Sequence, residues 1–114
     1  MTDCLFCKIV SGDVPAEIVR ESPGTVAFRD INPQAPTHVL VVPRDHHPNV
    51  AELVASDAEL LAELVRVAHE VAAAEGVAES GYRLVFNTGA QAGQTVFHVH
   101  AHVLGGRGLN WPPG

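Results

Sequence analysis

The sequence predicts an α+β fold, a mostly antiparallel five-stranded sheet with one long and one short helix. Three observations carry this. One stretch alone keeps helical spacing over several turns: Leu60, Leu61, Leu64, Val65, Ala68, Val71 and Ala72. Short apolar runs elsewhere are separated by turns rich in glycine and proline. One long helix serving about five strands gives segregated layers, not alternating strand–helix units.

The elements follow in order. Cys4 to Val10 reads as a helical turn closed by Ser11-Gly12-Asp13. Ile18 to Glu21 and Val26 to Ile31 are strands, and Ser22-Pro23-Gly24-Thr25 is a hairpin loop of suitable length between them. Asn32 to Pro36 is a turn. Val39 to Val42 is a continuous apolar run, expected of a central strand buried on both faces. Ser56-Asp57-Ala58-Glu59 reads as a capping box for the long helix, and Gly76 is its stop. Tyr82 to Asn87 is a strand, Thr88 to Gln94 a glycine-rich loop, and Val96 to Leu104 the last strand.

Composition narrows the function. The 114 residues are expected to form one domain, 1–114, with 46% hydrophobic and 18% charged residues, as in globular chains. The net charge is −6, and the seven Lys and Arg residues are scattered singly. Such a surface argues against nucleic acid or an anionic membrane as partner. The start MTDCLFCKIV lacks a basic segment followed by a long apolar one, and no apolar window reaches membrane length. With two cysteines, the chain is expected in the cytoplasm.

Three of the seven histidines alternate in "FHVHAHVLGG", Phe97 to Gly106. On a strand, residues two apart share a face about 6.6–6.8 Å from one another. His98, His100 and His102 therefore line one side, and Val99, Ala101 and Val103 face the core. Three readings compete: a solvated strand face, a zinc site using all three rings, or nucleophilic and acid–base chemistry, which suits a group titrating near neutrality. The preceding loop, Asn87 to Thr95, offers glycines for close backbone approach to an anion, with amide and hydroxyl side chains beside them. An anion cradle before a row of imidazoles favours nucleotidyl or phosphoryl transfer with histidine as nucleophile.

Cys4-Leu5-Phe6-Cys7 is open to redox chemistry, to a metal knuckle, or to two buried thiols. A knuckle needs histidines as its remaining ligands, since no other cysteine exists. Asp30, before Ile31-Asn32-Pro33, reads on its own as a turn-capping acid.

His98 to Leu104 resembles the histidine triad signature, His-φ-His-φ-His-φ-φ with φ apolar. "DINPQAPTHVLVVP", "GYRLVFNTG", "AGQTVFHVHAHVLGGR" and "WPPG" resemble the Hint branch of the histidine triad (HIT) superfamily, the histidine triad nucleotide-binding proteins. The resemblance implies a HIT-like fold with sheets joined across a homodimer. It implies hydrolysis of purine nucleoside phosphoramidates to a nucleoside monophosphate and an amine. His100 would be the nucleophile, His102 would contact the phosphate, and His98 would orient His100 through its carbonyl. Asn87, Gly93, Gln94, Thr95 and Val96 would hold the phosphate and leaving group. Asp30 would bind the ribose, and Phe6, Ile9, Phe28 and Ile31 would form the base slot. Trp111 would lie at the dimer interface on the leaving-group side, with the long helix as the central interface element.

The resemblance also implies one structural zinc per chain on Cys4, Cys7, His46 and His98, with no cofactor needed for the chemistry. His47 would be a solvated neighbour, His38 structural, and His69 exposed. Three rivals remain: a dinucleoside polyphosphate hydrolase of the Fhit-like type, a nucleotide-binding protein with little turnover, and a catalytic zinc hydrolase using all three triad histidines.

Overall fold

The computed structural model describes residues 3–114. Five strands form one antiparallel sheet: β1 (Ile18–Glu21), β2 (Thr25–Arg29), β3 (Thr37–Pro43), β4 (Tyr82–Val85) and β5 (Ala101–Gly105), in the order β1-β2-β3-β5-β4. Three α-helices accompany it: α1 (Leu5–Ser11), α2 (Val50–Ser56) and α3 (Ala58–Ala74). No helix among the described residues is long and apolar enough to cross a membrane.

β3 is buried along its whole length, as its unbroken apolar run requires. Val39 and Val41 join the larger core with Leu64, Val67, Ala68 and Val71 of α3 and with Val99, Ala101 and Val103. Leu40 and Val42 turn to the opposite face and pack with Phe6, Val26 and Phe28. So α3 covers one face of the sheet, and the short α1 covers only part of the other. His102 pairs with Leu40 across the β3–β5 ladder. That register puts the triad on the thinly covered face, where a cavity has room to form.

Two clasps fix the layers. Arg29 at the end of β2 makes paired bonds to the Glu75 carboxylate at the end of α3, 2.7 and 2.9 Å. Glu63 of α3 accepts from the Ser22 hydroxyl and the Gly24 amide in the β1–β2 turn. Gly106, just after β5, has φ +89°, and a Cβ there would lie 2.9 Å from Pro36. Glycine is needed at this corner for both reasons.

The helix count differs from expectation. A third helix, α2, precedes the long one and has its own box: Asn49 accepts from the Glu52 amide, and its side-chain amide faces the Glu52 carboxylate. Ser56 caps nothing, since its hydroxyl donates back to the Glu52 carbonyl. Asp57 caps α3 by accepting from the Leu60 amide at 3.0 Å. The two caps, Asn49 and Asp57, are only eight residues apart, so the sequence reads as one helix start where there are two.

The last strand also starts later than Val96. The β3–β5 ladder runs from Thr37↔Gly105 to Val41↔Ala101. Pro43 has no N–H to continue it. His98 and His100 lie in the extended segment before β5, and Val99 there donates to the His47 carbonyl at 2.7 Å. β2 and β4 end earlier than expected, at Arg29 and Val85. Asp30 and Ile31 fall in a turn, and Asn87 lies beyond the sheet.

Replacing Asp57 with Ala is expected to lower unfolding free energy by about 1 kcal/mol, the usual cost of a lost helix cap, and Ser56→Ala by clearly less. Chemical denaturation of both variants checks this. A larger loss for Ser56→Ala would return the cap to Ser56.

Candidate active site and metal cluster

The site is built outward from His98, which is fully buried. Its Nε2 lies 2.8 Å from the Pro43 carbonyl. A carbonyl only accepts, so Nε2 carries the proton and Nδ1 keeps the lone pair. That Nδ1 lies 3.4 Å from the Cys4 sulfur and 3.5 Å from the Cys7 sulfur. His46 Nδ1 lies 3.4 Å from the Cys7 sulfur. All four donor atoms fall within 4.8 Å of one another.

Tetrahedral zinc, with bonds of about 2.3 Å to sulfur and about 2.0–2.1 Å to nitrogen, needs sulfur–nitrogen edges of about 3.5 Å. The distances here match. The second nitrogen of His98 is held by a carbonyl, as ligating histidines usually are. Cys4 also caps α1, its sulfur accepting the Cys7 amide at 3.3 Å. The four residues therefore suit zinc in their geometry, donor types and outer support.

The His98 carbonyl continues the chain of constraints. It accepts from His100 Nδ1 at 2.8 Å. His100 is thereby protonated on Nδ1, and its Nε2 lone pair is left for chemistry. The edge of Phe6 against the His100 ring, centroids 4.9 Å apart, fixes the plane. Burial lowers the His100 pKa, against the opposing pull of the His98 carbonyl and Asp30. The ring is held neutral, as a nucleophile requires.

His102 is set by a separate chain. The Gln34 amide donates to His38 Nδ1 at 3.0 Å. His38 must then carry its proton on Nε2, which lies 2.9 Å from His102 Nδ1. His102 accepts there, so its own proton sits on Nε2. Among the described residues, that nitrogen is the one buried side-chain polar atom with no hydrogen-bond partner. A buried donor left unsatisfied points to a ligand group that completes it. Burial, with the His100 and His38 rings nearby, lowers the His102 pKa from 6.5 to about 4.

Asp30, His38 and His102 also gather their donor atoms within 4.8 Å. They do not suit a metal. The Gln34 amide occupies His38 Nδ1, which keeps the proton on Nε2, the atom a metal would need. This trio is a hydrogen-bonded relay.

A cavity of about 260 Å³ opens beside these rings. Phe6, Ile9, Phe28 and Leu40 form its apolar wall, and His100, His102, Thr95, Val96 and Asp30 its polar side. Ile31 lies on the rim and is 98% exposed, so it shapes an entrance, not a closed slot. One Asp30 oxygen accepts the Asn32 amide at 2.8 Å. The other lies 3.5 Å from His38 Nε2. Asp30 is thus both a turn cap and a cavity carboxylate.

Asn87, Gly93, Gln94 and Trp111 do not line the cavity. Gln94 is buried and ties the loop together: its side chain accepts from the Gly89 amide and donates to the Pro48 and Val96 carbonyls. It presents Thr95 and Val96 without reaching the cavity itself. Gly93 has φ +91°, which turns the chain at that point. Trp111 is 82% exposed, far from the sheltered position its size favours.

His38 is the site residue that sequence reasoning assigned to structure alone. It lies opposite Leu104 in the β3–β5 register, a pairing that no local sequence signal announces. His47 is half-buried, 3.4 Å from the Ser56 hydroxyl, and His69 is exposed beside the Tyr82 hydroxyl.

A HIT domain family model matches residues 11–109. The chain belongs to the HIT domain family. A HIT family hydrolase from Legionella pneumophila superposes with a TM-score of 0.94 at 51% identity, covering 98% of this chain and 100% of that one. The purine nucleoside phosphoramidase of Escherichia coli K12 is 44% identical over 107 residues, 94% of this chain and 90% of its own. The 14 kDa zinc-binding protein of Zea mays is 46% identical over 112 residues, 96% of this chain and 87% of its own. The HIT domain here keeps all three triad histidines on the cavity side of the sheet.

The neutral rings give a sign for pH dependence. The unfolded chain takes up a proton on His102 near pH 6.5, whereas the folded chain resists until about pH 4. The unfolded state binds more protons in that window, so stability falls as pH falls through it. Denaturation midpoints are expected to drop steadily over this range, with a shallower slope for His102→Gln. A flat midpoint would contradict a neutral His102.

Proposed function

We propose that this HIT domain hydrolyses purine nucleoside phosphoramidates to a nucleoside 5′-monophosphate and an amine, through a nucleotidyl intermediate on His100. The observation that carries the reading is the pairing of opposite tautomers in one cavity. His100 offers a lone pair on Nε2, and His102 a proton on Nε2. Phosphoryl transfer to an imidazole is served by a nucleophilic lone pair and a hydrogen-bond donor at the phosphate, both preset. The similarity to the phosphoramidase of Escherichia coli supports the substrate class.

In this reading the base enters between Phe6, Ile9 and Phe28, where burial and stacking accept adenine and guanine alike. The Asp30 oxygen that faces the cavity accepts the ribose hydroxyls. The backbone of Thr95 and Val96, stiffened by Gln94, takes the phosphate. Gly93 and Asn87 shape that loop. His100 Nε2 attacks the phosphorus while the His102 Nε2–H donates a hydrogen bond to the phosphate, and the departing nitrogen takes its proton from a water. The hydroxide so formed attacks the phosphorus, breaks its bond to His100 and releases the nucleotide. The His98 carbonyl stabilises the positive charge that develops on the His100 ring.

Cys4, Cys7, His46 and His98 hold a structural zinc in this account. Four protein ligands leave no open position, so the metal ties α1 to the sheet and supplies no chemistry of its own. Two copies pair through α3 and the edge strand β4, with Trp111 covered by the partner near its leaving-group side. The exposed Val65 on α3 and the exposed Trp111 support that surface. The cytoplasm is the expected compartment.

Assaying adenosine 5′-phosphoramidate with wild type and His100→Asn tests the chemistry. Turnover is expected to fall at least about a thousandfold in the variant, the scale of losing a nucleophile. Unchanged turnover would remove the mechanism. Faster cleavage of diadenosine polyphosphate would move the chain to that substrate class, and no cleavage of either would leave a binding protein.

Elemental mass spectrometry of the purified chain is expected to find one zinc per protomer. Cys4→Ala is expected to lose it and melt lower while keeping part of the activity. A metal-free wild type would overturn the zinc assignment.

A further inference from the structure

The two cysteines do more than complete a donor set. They lie on the helix that also builds the nucleotide cavity. Leu5, Phe6 and Ile9 of α1 line that cavity, between and beside Cys4 and Cys7. Phe6 sits edge-on to both His98 and His100, with centroids 6.0 and 4.9 Å away. The sulfurs of Cys4 and Cys7 meet the same nitrogen of His98. A second cavity, of about 440 Å³, opens to solvent and is lined by Cys4, Leu5, His46, Thr95, Val96 and Phe97. A small reagent can therefore reach Cys4 without unfolding the chain, and both thiols are only half-buried.

We propose that Cys4 and Cys7 form a hydroperoxide-sensitive pair, whose oxidation to a disulfide expels the metal and loosens the α1 wall of the nucleotide cavity. This rests on the zinc reading above. The two residues are three apart, Cys4 the cap of α1 and Cys7 in its first turn, and the Cys4 sulfur already accepts the Cys7 amide. A disulfide needs Cβ atoms about 3.8 Å apart, and the two sulfurs already converge within 3.5 Å of one His98 nitrogen.

The step balances. The Cys4 thiolate attacks the outer oxygen of the hydroperoxide and breaks the O–O bond, giving a sulfenic acid and an alkoxide that takes a proton from water. The Cys7 thiolate then attacks the Cys4 sulfur and displaces hydroxide, which takes a second proton. Two electrons pass from the two thiolates to the peroxide, which ends as one alcohol and one water. Zinc, left with two imidazoles and no thiolate, departs as the aqua ion. A dithiol reverses the change by exchange.

The consequence is directional. Without the metal, His98 keeps its Pro43 bond, but α1 loses its tie to His98 and His46. The edge of Phe6 is then no longer held against the His100 ring. Nucleotide affinity falls first, because Phe6 and Ile9 of the apolar wall are carried by α1.

The test treats the full-length reduced chain with graded hydrogen peroxide and follows three quantities. A chromogenic chelator reads released zinc, peptide mass mapping reads the Cys4–Cys7 linkage, and titration with adenosine 5′-monophosphate reads affinity. One zinc released per disulfide is expected, together with an affinity loss of about tenfold, the scale of uncovering part of one buried aromatic side chain. A dithiol plus zinc restores both. Cys7→Asp, which keeps a fourth ligand but supplies no resolving thiol, is expected to form no linkage and to oxidise Cys4 past the sulfenic acid, so that a dithiol plus zinc no longer restores it. Zinc kept at full oxidation, no Cys4–Cys7 linkage, or an unchanged affinity would each overturn the proposal. A reduced chain without zinc would overturn the metal reading and the expulsion step with it, whereas zinc present in the reduced chain and kept at full oxidation would overturn the proposal and leave the metal reading intact.

Discussion

One buried imidazole organises the site. His98 donates from Nε2 to the Pro43 carbonyl, aims Nδ1 at two sulfurs, and accepts from His100 through its own carbonyl. Each bond dictates the next, because a ring nitrogen cannot donate and accept at once. Desolvation dominates its electrostatics and lowers its pKa to about 4, so the ring stays neutral and the tautomers stay sorted. Remove the Pro43 bond and the sulfurs lose their lone-pair partner. Remove the His98 carbonyl contact and His100 is free to present the wrong nitrogen.

That role depends on how the sheet ends. The β3–β5 ladder stops where Pro43 cannot donate, so the Pro43 carbonyl is left for a side chain. The same ending lets His98 and His100 leave the ladder while Val99, Ala101 and Val103 remain in the larger core. The alternation of the segment keeps one face apolar and anchored. The other face carries three rings with three different partners: a sulfur pair, a backbone carbonyl, and a second histidine. The relay from Gln34 through His38 then gives His102 the opposite tautomer to His100. A cavity flanked by one acceptor and one donor imidazole follows from backbone geometry more than from charge.

Much of this was legible in the residues. The unbroken Val39–Val42 run announced a central strand, because only burial on both faces tolerates it. The triad's alternation announced the face. Cys4, Cys7, His46 and His98, named from family resemblance, do converge. What escaped the reading was set by crowded local caps and by partners distant in the chain. Two caps close together, at Asn49 and Asp57, read as one helix start. Gln94 has the chemistry of a phosphate ligand, yet three loop contacts consume its side chain. His38 became part of the relay only through the β3–β5 register, which no local pattern encodes.

The central claim is the order of protons along this chain of rings, and nitrogen NMR of the labelled histidines reads it directly. The account predicts, at neutral pH, His98 and His102 protonated on Nε2 and His100 protonated on Nδ1. His100 carrying its proton on Nε2, or His102 carrying its proton on Nδ1, would contradict it.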